Sequence, residues 1–165
     1  MSYRDDVREK IIRILETMPD ETKAFERVIR QVYAQALEEA KRTGHSIESI
    51  TYEVLEGVEE GMETAPHRIE EMLEKASLIM ADLLQHSAQE DIVRRYRRII
   101  FAQEALEETI EAEKRHMMES FDAFSAYAQT RGYRRFGENL YRIGSTMMQQ
   151  IEKLVEEIVY NPKHS

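Results

Sequence analysis

Glu113 and His116 have the residue types and the spacing of a metal-binding pair. They stand three positions apart in the segment E-K-R-H, the spacing with which a helix of a di-iron bundle supplies two of its ligands. Such a centre requires a second Glu-x-x-His motif and two further inward-facing glutamates, and the sequence contains no second Glu-x-x-His. We therefore predict no cofactor and no metal centre, and we interpret Glu113 as a polar interruption in a helix–helix seam. A carboxylate and histidine metal site using this pair is kept as an alternative.

Arginine and tyrosine residues form two clusters in a chain whose net charge is -9. One cluster spans residues 94–98, and the other surrounds Gly132, where the glycine interrupts a helical pattern and predicts a hairpin tip. Arginine binds carboxylates bidentately, and arginine and tyrosine are frequent in interface hot spots, so we predict that the tip binds an acidic protein partner. The predicted partner-binding residues are Arg131, Tyr133, Arg134 and Arg135. Ion pairing of these arginines with glutamates of neighbouring helices is the alternative.

Two methionine doublets lie far apart in the sequence, at residues 117–118 and 147–148. Methionine commonly fills irregular gaps in a core, and it also forms adaptable interaction surfaces. We predict that Met117 and Met147 face the core. We predict that Met118 and Met148 lie in an oligomer interface.

The composition excludes several classes of function. The chain has no cysteine, so it has no disulfide framework, thiolate metal site or cysteine nucleophile. It also lacks the phosphate-loop, dinucleotide-binding, zinc-protease and serine-hydrolase motifs, and we predict that it is not an enzyme. The acidic charge argues against nucleic-acid binding. No stretch approaches the roughly 18 apolar residues of a transmembrane helix, and the charged first ten residues do not resemble a secretory signal, which favours a cytoplasmic location.

The pattern of apolar residues predicts an all-α fold. Charged residues make up 33% of the chain and glycine and proline are few, a composition typical of long amphipathic helices. Pro19, Gly44, Pro66 and Gly132 divide the pattern, and Ser2 and Ser46 are in N-cap positions. We predict elongated antiparallel helical hairpins that form a helical bundle.

The boundary between the fourth and fifth predicted helices is set by Ser87. The segment S-A-Q-E from Ser87 to Glu90 has the form of a capping box, so we predict a helix start there and one very long helix at about 88–131. That helix would be roughly 65 Å long. Because no glycine or proline intervenes, one unbroken helix over 66–131 is the alternative.

Apolar residues on opposite sides of each predicted turn fall into matching registers. Around Gly132 the register pairs Met117 with Met147 and places Glu113 level with Ile151. Around Gly44 it places Gly57 opposite Tyr33, and a close helix crossing or room for the tyrosine would explain glycines at 57 and 61.

The chain is predicted to divide into two regions that share one continuous core. Residues 1–64 form a three-helix N-terminal region, and residues 65–165 form a long hairpin region with helices four to six. The second half of the fifth helix and the sixth helix have no evident partner within the chain. Pairing with a second copy would complete a four-helix bundle, so we predict a homodimer.

Two segments, SIESITYEVLEGVEEGM at 46–62 and AYAQTRGYRRFGENLYRIG at 126–144, resemble bacterial helical proteins of uncharacterised families. The chain is also similar, more weakly, to phasins, which are long-helical proteins that coat polyester granules without catalytic sites. Our main expectation is a non-enzymatic helical scaffold or adaptor that self-associates and binds a protein partner. The likeness to phasins implies an alternative, a protein that coats a granule or lipid surface through amphipathic helices.

Overall fold

The computed structural model describes residues 2–17, 21–98 and 103–159, and these are almost entirely α-helical with no strand among them. A short 3-10 turn at Pro66–Arg68 precedes the fourth helix. The six helices are α1 (Tyr3–Thr17), α2 (Glu21–Thr43), α3 (Ile47–Gly61), α4 (Ile69–Arg98), α5 (Gln103–Arg131) and α6 (Arg134–Val159). The predicted all-α bundle is confirmed.

Several helix ends lie where the sequence predicts them. The side chains of Ser2 and Ser46 each accept a hydrogen bond from the backbone amide three residues later in the chain. The donors are Asp5 and Ser49, at 3.2 and 3.1 Å. Gly44 and Gly132 follow α2 and α5 with φ angles of 74° and 75°, a left-handed conformation that favours glycine. These four residues cap their helices as expected.

The helix start predicted at Ser87 is wrong. Helix α4 continues through this position to Arg98, and the Ser87 hydroxyl accepts a hydrogen bond from Lys41 Nζ at 2.7 Å. The alternative of one unbroken helix over 66–131 is also wrong, because it would place Asp91 and Glu113 about 33 Å apart. Both carboxylates instead lie within 3.3 Å of Lys41 Nζ. The link between α4 and α5, residues 99–102, lies outside the described residues.

Helices α2, α3, α4 and α5 surround the main core, α1 packs on α2 and α3, and α6 packs on α4 and α5. The predicted register between α5 and α6 agrees with the structure, because Gly144 faces Phe121 and Gly137 faces Ala128. One hydrophobic cluster contains buried residues of both predicted regions, 1–64 and 65–165.

The expectation that α6 lacks a partner within the chain is wrong. It was based on a fourth helix that ended before residue 87, whereas α4 is longer and contacts both α5 and α6. A second copy is therefore not needed to complete the bundle around α6. Within the described residues, every helix is too polar or too short to cross a membrane.

The glycines at 57 and 61 allow α1 and α3 to cross closely. A Cβ atom at Gly57 would lie 2.6 Å from the carbonyl oxygen of Arg4 and 2.8 Å from Val7 Cβ, and one at Gly61 would lie 2.8 Å from Ile11 Cβ. The predicted close crossing is therefore present. Its partner is α1, whereas the register had placed Tyr33 opposite Gly57.

Candidate functional site

Lys41 joins three helices through a cluster of polar side chains. Its Nζ lies 2.6 Å from Asp91 Oδ2, 2.7 Å from Ser87 Oγ and 3.3 Å from Glu113 Oε2. The Glu113 side chain is only 7% exposed. Lys41 therefore gives a buried carboxylate its opposite charge and connects α2 to α4 and α5.

The electrostatics of this cluster keep Asp91 ionised. Burial acts to raise the pKa of the Asp91 carboxyl, but the hydrogen bond from Lys41 and the charges of Lys41 and Arg94 hold it below its ordinary value. A charged Asp91 beside a charged lysine is a stable ion pair at neutral pH. Such a pair has little tendency to transfer a proton.

The structure places Glu113 and His116 close together. The Glu113 carboxylate pairs with Lys41, however, whereas a metal site would require Glu113 and His116 to bind the same cation. His116 Nδ1 lies 3.5 Å from Glu113 Oε2 and makes no hydrogen bond, whereas Lys41 Nζ contacts both Glu113 and Asp91. No group of three or more histidine or acidic side chains among the described residues is arranged to hold a metal. The lysine ammonium occupies the position at which a cation would bridge the two carboxylates.

The structure pairs Glu113 with a residue outside the α5–α6 seam. Its carboxylate faces Lys41 of α2, because α4 and α5 meet at the level of Asp91. Ile151, with which it had been aligned, is fully buried.

The tip around Gly132 is held against α3. The Arg131 guanidinium lies 3.4 Å from Glu59, 3.9 Å from Glu56 and 4.4 Å from the centre of the Tyr127 ring. The Tyr133 hydroxyl donates a hydrogen bond to Glu59 Oε2 at 2.7 Å. Burial and this hydrogen bond to a carboxylate raise the pKa of Tyr133 to about 12.

The tip therefore does not project from the rest of the protein, since α3 lies beside the end of α5. Arg135 also has an internal partner, Glu74 of α4, at 3.3 Å. The side chain of Arg134 lies outside the described residues. Arg131 and Arg135 therefore form ion pairs with neighbouring helices, as the alternative interpretation expected. Binding of an acidic partner at the tip stays a prediction.

Replacing Arg131 by alanine should lower the free energy of unfolding by about 1 kcal/mol, because a cation–π contact contributes about 0.5–1 kcal/mol and each exposed ion pair about 0–1. Arg142→Ala is the control, since the side chain of this exposed arginine makes one hydrogen bond within the described residues, to Asn139. Urea denaturation measures both. Equal stability of the two variants would contradict the structural role of Arg131.

A third site is an open apolar groove between α5 and α6. It has a volume of about 250 Å³ and is here called the methionine groove. Its lining residues are Met117, Met118, Phe121, Gly144, Ser145, Met147 and Met148. A Cβ at Gly144 would lie 2.4 Å from Phe121 Cε2, so the ring rests directly on the glycine backbone.

The two methionine doublets meet in this groove. Met117 and Met147 are buried in its floor, which confirms the prediction that they belong to the core. Met118 is 48% exposed, and Met148 is half-buried at the rim. The interface role predicted for Met118 and Met148 stays a prediction, now with an open apolar surface beside both residues.

Sequence reasoning missed Lys41, Asp91 and a buried set of hydroxyl groups. Tyr33 Oη lies 2.7 Å from Thr51 Oγ1, and both side chains are fully buried. Burial raises the pKa of Tyr33 to about 12, so the hydroxyl is neutral and its role is structural. The sequence does contain a signal for the inward position of Lys41, because Lys41 follows Leu37 by four residues and so lies on the buried face of α2.

The three candidate sites differ in their internal partners and in their exposure. The Lys41 cluster and the tip have internal partners, whereas the methionine groove is open and apolar. Comparison of the chain with models of known protein families, with curated proteins and with solved structures gives no match.

Proposed function

We propose that the protein is a non-enzymatic helical scaffold that self-associates through the methionine groove. The observation that carries the proposal is the exposed Met118 beside an open apolar groove. Exposed apolar surface next to a recess is typical of protein interaction sites. Methionine suits such a surface because its side chain is flexible and polarisable.

The size of the groove supports occupation by a protein side chain. Its volume of about 250 Å³ exceeds the roughly 150 Å³ of an apolar cavity that binds benzene. One large apolar side chain of a second molecule therefore fits the space. Met118 protrudes at the rim of the same groove, so one surface contains both an apolar projection and a recess that can receive it.

A second copy of this chain is the proposed occupant because the charges around Met118 are self-complementary. A two-fold axis at Met118 would align two antiparallel α5 helices, with Asp122 of one copy level with Lys114 and next to Arg115 of the other. In such an interface each contact occurs twice. Neither Arg115 nor Asp122 forms an ion pair with another residue in the described part of the chain, so both are available for a partner.

We propose binding in preference to catalysis because the polar side chains of the candidate sites are already ion-paired or hydrogen-bonded. Asp91 is ionised and paired with Lys41, and the hydroxyl groups of Tyr33 and Tyr133 are neutral and hydrogen-bonded. These groups stabilise helix contacts. Activity assays on candidate substrates would test this part of the proposal directly.

Replacing Met118 by glutamate should weaken self-association at least a hundredfold, because the two-fold axis would place like charges together, which costs several kcal/mol. The control is Leu78→Glu, since Leu78 is 52% exposed on α4 and does not line the groove. Sedimentation equilibrium over a wide concentration range measures the dissociation constant. A wild-type protein that remains monomeric throughout, or an equal effect of Leu78→Glu, would reject the proposal.

Exchange of charges tests the identity of the occupant in the same measurement. Arg115→Asp and Asp122→Arg should each weaken the dimer by creating like-charge neighbours. The double variant restores opposite charges only if both residues meet across a two-fold interface. Failure of the double variant to recover affinity would indicate another arrangement or another partner.

A further inference from the structure

We propose that Met118 and Met148 form a methionine-oxidation site, and that peroxide acting there releases the self-associated form. The inference rests on the proposed function, because it gives the methionine groove a means of regulation. It also makes a separate claim about which methionines react.

The exposures of the methionines make the reaction selective. Apart from Met118 and Met148, every methionine in the described residues is at most 4% exposed. The buried ones are Met62, Met72, Met80, Met117 and Met147. Oxidation of thioethers follows access to the oxidant, so the two rim positions should react first. Met1 and Met18 lie outside the described residues.

The chemistry requires one oxidant and leaves one by-product. The sulfur lone pair attacks an oxygen of hydrogen peroxide, the O–O bond breaks and an S–O bond forms. The sulfur is oxidised by two electrons to the sulfoxide, and the remaining peroxide oxygen leaves as water after proton transfer. The chain contains no cysteine, so no thiol of this protein competes for the peroxide.

The product is unsuited to a closed apolar interface. A sulfoxide oxygen is a polar acceptor, and a buried acceptor without a donor is unfavourable. Among the lining residues whose side chains the structure describes, the Ser145 hydroxyl is the only side-chain donor, and it cannot serve both sulfoxides of one copy. Oxidation at Met118 and Met148 therefore opposes burial of the groove.

Burial in the dimer gives a second expectation. An interface that covers the methionine groove excludes peroxide from Met118 and Met148, because oxidation of a thioether depends on access of the oxidant. The rate of sulfoxide formation at these positions should therefore fall as the protein concentration passes the dissociation constant. Oxidation of a surface methionine without an interface would show no such concentration dependence.

The experiment treats the full chain with a limited amount of hydrogen peroxide and follows each methionine by peptide mass spectrometry. Sedimentation equilibrium gives the dissociation constant before and after treatment, and circular dichroism checks that the protein stays folded. The matched variant is Met118→Leu with Met148→Leu, because leucine is similar in volume and has no sulfur. A mixture of methionine sulfoxide reductases for both epimers tests reversal.

We expect sulfoxide at Met118 and Met148 first, a dissociation constant at least tenfold higher, recovery after reduction, and a dimer of the leucine variant that peroxide does not affect. An unchanged dissociation constant in oxidised wild type would overturn this inference and leave the proposed function intact. Equal oxidation of the buried methionines in folded protein would also overturn it. A wild type that is monomeric before treatment would overturn the proposed function and this regulation together.

Discussion

Alanine at both Gly57 and Gly61 should destabilise the protein and release α1 from α3. The contacts explain why: the added Cβ atoms would lie 2.6 Å from the Arg4 carbonyl oxygen and 2.8 Å from Ile11 Cβ. The first of these contacts is with backbone, so no change of side-chain rotamer relieves it. The α1 helix must move outward, and Val7 and Ile11 then lose their burial.

The size of this effect follows from two opposing contributions. Overpacking costs about 1–3 kcal/mol at each site, whereas alanine is favoured over glycine within a helix by about 1 kcal/mol. Summed over both sites, we therefore expect the double variant to lose up to about 4 kcal/mol of unfolding free energy. Chemical denaturation measures the loss, and hydrogen exchange should show faster exchange in α1 than in α4.

Gly137→Ala provides a matched control within another helix. A Cβ at Gly137 would lie 3.7 Å from Ala128 Cβ, an ordinary van der Waals contact. This variant should be more stable than wild type by about 0.5–1 kcal/mol, the usual advantage of alanine in a helix. If Gly57→Ala and Gly61→Ala are stabilising to the same extent, then α1 does not pack on α3 as described.

The local signals in the sequence predicted helix ends well where a single residue determines them. Gly44 and Gly132 adopt positive φ angles, and Ser46 caps α3, because these conformations and hydrogen bonds depend on the residue itself. Ser87 illustrates the limit of such signals. Its capping-box pattern is genuine, but the helix continues there and the hydroxyl binds Lys41, because tertiary contacts outweigh a weak local preference.

That one boundary explains the other errors about the site. A fourth helix ending near residue 87 left α6 without a partner, and it placed Asp91 and Glu113 about 33 Å apart on one long helix. With α4 extended to Arg98, Asp91 reaches the level of Glu113, and Lys41 binds both. A pattern of apolar residues cannot show which helices become neighbours, since that depends on where each chain reversal lies.

The methionine groove was partly predictable for a different reason. The register around Gly132 depends on the short connection between α5 and α6, so it correctly brought the two methionine doublets together. The recess itself could not be predicted, because it depends on the Phe121 ring lying against Gly144. Spacing predicts which residues share a level, whereas exposure depends on the surrounding helices.

Replacing Lys41 by methionine should destabilise the protein by about 3 kcal/mol at neutral pH, since removing one partner of a buried ion pair leaves an uncompensated charge. Glu113 is 7% exposed and would keep its carboxylate within the core without the ammonium group that lies 3.3 Å away. His116, 3.5 Å from the same carboxylate, makes no hydrogen bond to it in the wild-type protein.

Two further variants separate charge from packing. Lys23→Met introduces the same side chain at an exposed position of α2 and should change stability by less than about 0.5 kcal/mol, as is usual for surface substitutions. Lys41→Met combined with Glu113→Gln removes the unpaired charge and should recover part of the lost stability. No recovery in the double variant would mean that the loss comes from packing of the lysine side chain.

The dependence of this effect on pH follows from the pKa of Asp91. In wild type this pKa lies below its ordinary value of 3.8, so the carboxylate contributes stability above that value and loses it as the pH falls through the folded-state pKa. Without Lys41, burial acts to raise the pKa, opposed by the charge of Arg94. The folded variant then binds protons more readily than wild type, so its deficit in stability should shrink as the pH is lowered from about 7 towards 4. Urea denaturation of both proteins across this range measures the difference, and a deficit that stays constant with pH would show that Lys41 does not stabilise these carboxylates by its charge.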